Sequence, residues 1–395
     1  MAKILRRWAV ALAVSGACVP VFAETFTWTG AENAYWTNAA NWTVGGATAT
    51  RCPGVLKIAD ADGMYPSVSG DVAIFGAVGE GAATTVDFDG LFSVGSIRFD
   101  EGAPAYTLGT DAEQVIPIEG QGSFAVKSGS AMPVFVAAFS PQANAWYDKD
   151  AKVGGYGDVE ILNETPEPMA FAKFGRILKA PGRKFADYKS FQVLFKGANS
   201  GGFVFTEGSE APTCNWWLSP KFYGPVTVRF MKSFTNFQVF TSSFTSATDK
   251  NTFILDEGAD LWPKACNNTC RFEFENGEHL ITGQGRIVFK DNATANSFSN
   301  RGVSNISVSG KGRVRIECQL DTRFHSGDKV GGEMLWNNGN AADFAKAVLD
   351  LAPSVNAMTG GIMMNHCGLA IRFADMSALG QVHRIVFGRA NAGLL

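Results

Sequence analysis

Charge is scarce in this sequence. Only 18% of its 395 residues are Asp, Glu, Lys or Arg, the formal net charge is −3 and the pI is about 5.9. That balance excludes the basic footprint of a nucleic-acid-binding chain, so no nucleic-acid partner is expected. Histidine is rarer still, with four residues, and seven cysteines are too few for a disulfide-dense scaffold. Beyond Phe22 no uncharged apolar run approaches the length of a membrane span, which leaves no transmembrane helix in the mature chain. Neither a phosphate-binding loop, a dinucleotide fingerprint nor a Gly-x-Ser-x-Gly elbow occurs, so no cofactor is expected. Hydrophobic content of 46% excludes wholesale disorder.

What is present begins with an address label. Lys3, Arg6 and Arg7 precede an almost unbroken apolar run from Trp8 to Phe22, and Val21-Phe22-Ala23 supplies a small residue at the cleavage point. Residues 1–23 therefore read as a secretory signal peptide. Cys18 follows Ser15-Gly16-Ala17, and the missing Leu or Val at Ser15 makes lipid anchoring or periplasmic retention the lesser alternative. Cleavage removes Lys3, Arg6 and Arg7 and no acidic residue, taking the formal charge from −3 to −6. Export leaves Cys52, Cys214, Cys266, Cys270, Cys318 and Cys367 in an oxidising compartment, where disulfides are open to them.

The body alternates with period two. Val86 and Phe88, Ile97 and Phe99, Val226-Val228-Phe230, Phe272 and Phe274, and Val314-Ile316-Cys318 are examples, separated by Gly, Asn, Asp and Ser clusters. About twenty such runs, near the usual strand length of ~5–6 residues, predict an all-β chain. One helix is expected at Ala341 to Leu351, with Phe344, Val348 and Leu351 on one face and Asn340 as N-cap. A parallel β-solenoid and tandem β-sandwiches both fit many short strands. Arg286-Ile287-Val288-Phe289 recurs as Arg384-Ile385-Val386-Phe387, and Ile97-Arg98-Phe99 as Ile371-Arg372-Phe373. A solenoid period of roughly two dozen residues spans the first pair in four coils, favouring the solenoid.

Trp28-Thr29-Gly30, Trp36-Thr37-Asn38 and Asn41-Trp42 are followed by Asp71-Val72-Ala73-Ile74-Phe75. This set resembles the opening of secreted bacterial proteins with autotransporter-associated β-strand repeats: W-x-G, W, N-W, then an acidic-x-A-x-F strand. Thr84 to Leu108 is similar to the next coil, and Ser377-Ala378-Leu379-Gly380 with Ile385 and Phe387 to the recurring A-L-G turn and strand. The likeness covers residues 25–110 and 369–395. It implies a right-handed parallel β-helix outside the cell or on its surface, with a Trp-rich N-terminal segment over 24–78 and a solenoid over 79–395. The family's glycine- and threonine-rich repeats are sparse here, and no twelve-strand barrel follows. The run into Leu394-Leu395 leads to the expectation of a truncated solenoid, or of an end completed by something else.

Candidate sites are few. Trp28, Trp36 and Trp42 suit either a structural cap over the first coil or a sugar-stacking platform, with the cap favoured. Trp216 and Trp217 are adjacent, so a strand would turn at least one outward, and they form the speculative ligand contact. Asp87 with Asp89, and Glu273 with Glu275, alternate with Phe88 and Phe274 and read as solvated faces rather than calcium or glycosidase sites. His279, His325, His366 and His383 lack a partner constellation, and Cys266-Asn267-Asn268-Thr269-Cys270 lacks a fourth ligand, so no metal and no catalytic residue is assigned. The expected function is a non-enzymatic surface or matrix protein, adhesin-like, whose partner is an extracellular polysaccharide or a host or matrix surface. A polysaccharide-binding or polysaccharide-degrading β-helix is the rival. Cys318 and Cys367 are expected as buried thiols two coils apart, too far for a disulfide, unless the Ala341–Leu351 helix is an insertion outside the coil and only one coil separates them.

Overall fold

A computed structural model of the chain describes residues 23–56, 69–90, 92–141, 158–174, 191–197, 200–206, 218–233, 243–248, 250–261, 271–274, 277–290, 305–308, 313–324, 333–337, 347–351, 361–364, 369–373, 384–387 and 393–394. Of the expected signal peptide at 1–23, residues 1–22 lie outside this set. The described residues are strands joined by turns, and among them one 3-10 turn at Ala39–Asn41 is the only helical element. The fold is all-β and its sheets are predominantly parallel.

The first sheet takes its strands in chain order. Thr25–Trp28 pairs parallel with Val72–Phe75, then follow Phe92–Phe99, Val115–Val126, Val159–Asn163, Phe191–Lys196 and Leu218–Tyr223. Ser243–Thr248, Arg271–Phe274, Asn305–Val308, Glu333–Asn337, Gly361–Met364 and Arg384–Phe387 continue it. A second parallel sheet runs from Met169–Phe171 through Phe203–Phe205, Val226–Phe230, Asn251–Leu255, Glu278–Gly283, Arg313–Ile316, Ala347–Leu351 and Leu369–Phe373 to Gly393–Leu394. Parallel neighbours cannot be joined by a tight hairpin. Here the chain visits another sheet before it returns to pair. Sandwich sheets are antiparallel, so the tandem-sandwich alternative does not fit.

Among the described residues, antiparallel pairing is confined to contacts of the N-terminal segment. Trp42–Val44 pairs with Thr25–Trp28 and with Ala47–Thr48, and Val55–Leu56 pairs with Phe92–Phe99. Gly45 and Gly46, both with positive φ, make the two-residue turn that the Trp42–Thr48 hairpin needs.

Phenylalanine, 31 residues in the sequence, is prominent in the buried interior of the described residues. Phe171, Phe205 and Phe230 are register partners in successive strands, and all three are buried. Their rings lie 5.7 and 5.2 Å apart, stacked. Phe75 stacks on Phe99 at 4.9 Å, and Phe195 on Phe222 at 4.9 Å. Each such contact contributes ~0.5–1.5 kcal/mol beyond the area it buries. In-register parallel strands create these ladders because equivalent side chains sit directly above one another. Buried asparagines close the corners: Asn163 donates to Glu167 O and Gly202 O and accepts from Thr165.

Three expectations are corrected. Ala347–Leu351, the second half of the expected helix, is a strand that pairs with Arg313–Ile316 on one side and Leu369–Phe373 on the other. Leu351 is buried as a strand residue, in register with Ile316 and Phe373, so pairing on both edges overrides the helix-like spacing. Asn340 and Phe344 lie outside the described residues. The sequence echoes do not mark equivalent positions: Arg286–Lys290 belongs to a third sheet with Asp260–Leu261 and Gln319–Phe324, and Arg384–Phe387 to the first. Ile97-Arg98-Phe99 and Ile371-Arg372-Phe373 likewise fall in different sheets. Alternating aliphatic, arginine and aromatic residues suit any of these sheets, so the letters recur without a period. Nor is the repeat length fixed. The chain travels about half as far again between the paired residues Ala125 and Leu162 as between Ile74 and Arg98, or between Leu351 and Phe373.

Candidate functional site

The three early tryptophans are buried together. Trp42 meets Trp28 at 4.9 Å and Trp36 at 4.7 Å, edge to face, and Trp36 stacks on Phe88 at 5.3 Å. Every indole N–H is used: Trp28 donates to Ala83 O (2.9 Å), Trp36 to Pro53 O (3.0 Å) and Trp42 to Trp36 O (2.9 Å). None of the three presents a face on which a sugar could stack.

The residues between them hold this cluster. Buried Asn41 accepts from the backbone of Glu32 and Asn33 and donates to Asn33 Oδ1 and Tyr35 O. Gly30 has φ +58°, and a Cβ there would lie 2.5 Å from Ala83 O. The W-x-G and N-W pieces are thus joined by packing, not by a ligand. Asp89, exposed, accepts from the backbone N–H and hydroxyl of Thr37, and Asp87 accepts from Gln114.

Asp71, the acid of the D-x-A-x-F strand, is fully buried. It accepts from Glu24 N (3.0 Å) and Gly54 N (2.8 Å) and from both terminal nitrogens of Arg51, which also reaches Glu24 Oε2 at 2.7 Å. The Arg51 guanidinium lies 4.7 Å from the Phe26 ring centre. Behind it, buried Glu119 accepts from Ser69 N, Ser69 Oγ and Gly70 N. These carboxylates are saturated by partners and tie the first strands together.

Trp216 and Trp217 lie outside the described residues, as do Glu275, His325, His366, His383, Cys266, Cys270 and Cys367. His279 is buried against the ring of Phe274. Cys52 and Cys318 are free and buried; burial raises both thiols, that of Cys318 to about 12.

A surface cleft lies on the second sheet, unanticipated from the sequence. A cleft of about 280 Å³ is lined by Lys250, Glu278, Leu280, Arg313, Arg315, Glu317, Asp350 and Arg372, with His279 and Val314 beneath. Strand alternation builds it: Val314 and Ile316 are buried while Arg313 and Arg315 point out. Register stacks Leu280, Arg315, Asp350 and Arg372 in one row across four strands, with Glu278 beside Arg313 in the next. Arg315 donates to Glu317 Oε1 (2.7 Å) and Asp350 Oδ2 (3.1 Å), and Arg372 also donates to Asp350 Oδ2. Partial burial pushes the Asp350 carboxyl up, but the hydrogen bonds and charges of Arg372 and Arg315 outweigh it and hold the group below its ordinary range. Glu317 is lowered chiefly by its bond from Arg315. Lys250, Glu278 and Arg313 make no ion pair among the described residues.

The alternation Arg313-Val314-Arg315-Ile316-Glu317 is the sequence signal that could have exposed half of this site. Its other half, Asp350 and Arg372, arrives only through register with strands remote in the sequence. Compared with family models, with curated proteins and with solved structures, the chain matches none.

Proposed function

We propose that the chain is an exported, non-catalytic scaffold, a right-handed parallel β-helix of the autotransporter-associated repeat type displayed at or beyond the cell surface. The observation that carries this is the succession of parallel strands from Thr25 to Leu394, most of them returning to their sheet after a strand in another. Wound as a helix, about a dozen steps of ~4.8 Å in the first sheet give a rod of about 60 Å. Trp28, Trp36 and Trp42 then act as the N-terminal cap that closes the apolar interior, and the outward loops and faces carry the contacts. Residues 1–23 direct export. Adhesin-like display suits such a rod because its length follows from the number of coils and its stiffness from the stacked aromatic ladders.

Small-angle scattering of the purified chain tests the shape: an elongated particle is expected, and a compact sphere overturns the scaffold. N-terminal sequencing of the exported protein tests the address, with Glu24 expected first and an intact Met1 in the cytosol counting against it. Screening against a polysaccharide panel separates scaffold from hydrolase or lyase. Reducing ends or unsaturated products, lost on replacing a cleft carboxylate, would reverse the non-catalytic assignment.

A further inference from the structure

The cleft on the second sheet combines charges in a way that selects among anions. Its two arginines nearest the centre are already neutralised, Arg315 by Glu317 and Asp350, and Arg372 by Asp350. Arg313 and Lys250 remain without a counter-ion among the described residues, and both are exposed. Between them stands Glu278, also exposed, in register with Arg313, while Lys250 immediately precedes the neighbouring strand. Leu280 supplies a half-buried apolar floor beside them.

A phosphate-dense polymer or an anionic membrane would set its charges against Glu278 as well as against the two cations. A chain that carries both acidic groups and hydroxyls would not. Its carboxylates or sulfates can take Arg313 and Lys250, its hydroxyls can donate to the Glu278 carboxylate, and the apolar face of a sugar ring can lie on Leu280. The two unpaired cations are also apart: Lys250 and Arg313 lie two steps of ~4.8 Å from each other along the strand stack, with Glu278 on the strand between. An extended ligand can reach them and a single small anion cannot. We propose that this cleft binds an acidic polysaccharide, with Arg313 and Lys250 holding its anionic groups and Glu278 accepting from its hydroxyls. This goes beyond the scaffold reading and does not depend on it, because scattering tests the shape and the binding experiment tests the cleft.

The experiment is titration of the purified chain at low and moderate salt with polygalacturonate, a sulfated polysaccharide, neutral dextran, inorganic polyphosphate and phosphatidylglycerol vesicles. Acidic polysaccharide is expected to bind, more weakly as salt rises, and dextran is not. Arg313→Gln and Lys250→Gln are each expected to weaken binding about fivefold. Glu278→Gln is expected to weaken the polysaccharide and to strengthen polyphosphate. Arg229→Gln, on the same sheet and paired with Asp256 away from the cleft, serves as the control and is expected to bind as the parent does. Circular dichroism checks that each variant keeps its strands. Absence of binding to both acidic polysaccharides overturns the proposal, as does a folded Arg313→Gln/Lys250→Gln double variant that binds like the parent. Tighter binding of polyphosphate or vesicles than of polysaccharide also overturns it, by assigning the cleft to phosphate groups.

Discussion

Arg315 and Arg372 bind the same oxygen, Asp350 Oδ2, from the strands on either side of it. Without the carboxylate, two like charges would face each other across ~9.6 Å of sheet. Asp350 is buried while both arginines are about half exposed, so Asp350→Asn is expected to destabilise the chain by about 1 kcal/mol, the upper end of the range for solvent-screened pairs. The pH dependence has a definite sign. A carboxyl lowered in the folded state contributes stability above its unfolded pKa of ~3.9 and loses it as pH falls through the folded value. Denaturant midpoints of parent and variant should differ at pH 6 and converge below pH ~4. A gap that persists undiminished at low pH would show that packing, not charge, carries the effect.

A thiol raised to about 12 by burial is almost wholly protonated at pH 8, so Cys318 should resist thiol reagents in the folded chain. Expected is no labelling of Cys318 in buffer and full labelling in denaturant, read by mass spectrometry of the digested protein. The strand that precedes Cys318, Arg313–Ile316, lies two steps from Leu369–Phe373, the strand that follows Cys367 in the sequence. An unreduced peptide joining Cys318 to Cys367 would refute the spacing argument.

What the sequence disclosed and what it hid divide along a physical line. Alternation is local, so Val226, Val228 and Phe230, or Val314, Ile316 and Cys318, could be assigned to the interior from neighbours alone, and all six are buried. Register is not local. Which outward residue stands beside which depends on the length of the intervening excursion, and that length differs between the Ala125–Leu162 and Leu351–Phe373 pairs. For this reason alternation could mark Arg313 and Arg315 as outward, but the row Leu280, Arg315, Asp350 and Arg372 that makes the cleft could not be read from spacing. The i, i+3 spacing of Val348 and Leu351 suits a helical face, and only pairing with the two flanking strands overrides it. The tryptophan signature was legible as a set, and hydrogen bonding shows why it needs an asparagine and a glycine: Asn41 supplies four side-chain bonds and Gly30 a close approach.

Trp36 separates shape from hydrogen bonding within that cluster. Trp36→Phe keeps most of the ring contact with Trp42 and Phe88 but removes the N–H that reaches Pro53 O, leaving a buried carbonyl short of a donor. A loss of about 1–3 kcal/mol is expected. Trp36→Ala removes the packing as well and is expected to cost about 3–5 kcal/mol. Equal losses in urea denaturation for the two variants would mean that the indole volume contributes little.

The Asp71 carboxylate is fully buried and accepts from Glu24 N, Gly54 N and the two terminal nitrogens of Arg51. Asp71→Ala would leave two backbone donors without their acceptor and strip the buried partner from a guanidinium that is two-thirds covered, at 32% side-chain exposure. Breaking a buried pair from one side costs about 3–5 kcal/mol, and the lower end, about 3 kcal/mol, is expected here because Arg51 keeps the Glu24 carboxylate as a partner. Arg51→Met in the same background should recover part of this, since the cation that has lost its buried partner is then gone and a flexible apolar side chain can rest on Phe26, where the guanidinium now lies. The double variant is thus expected to unfold at higher denaturant than Asp71→Ala alone. Additive losses in a double-mutant cycle would show instead that Arg51 and Asp71 act independently, and would reduce the acid of the D-x-A-x-F strand to a donor-capping role.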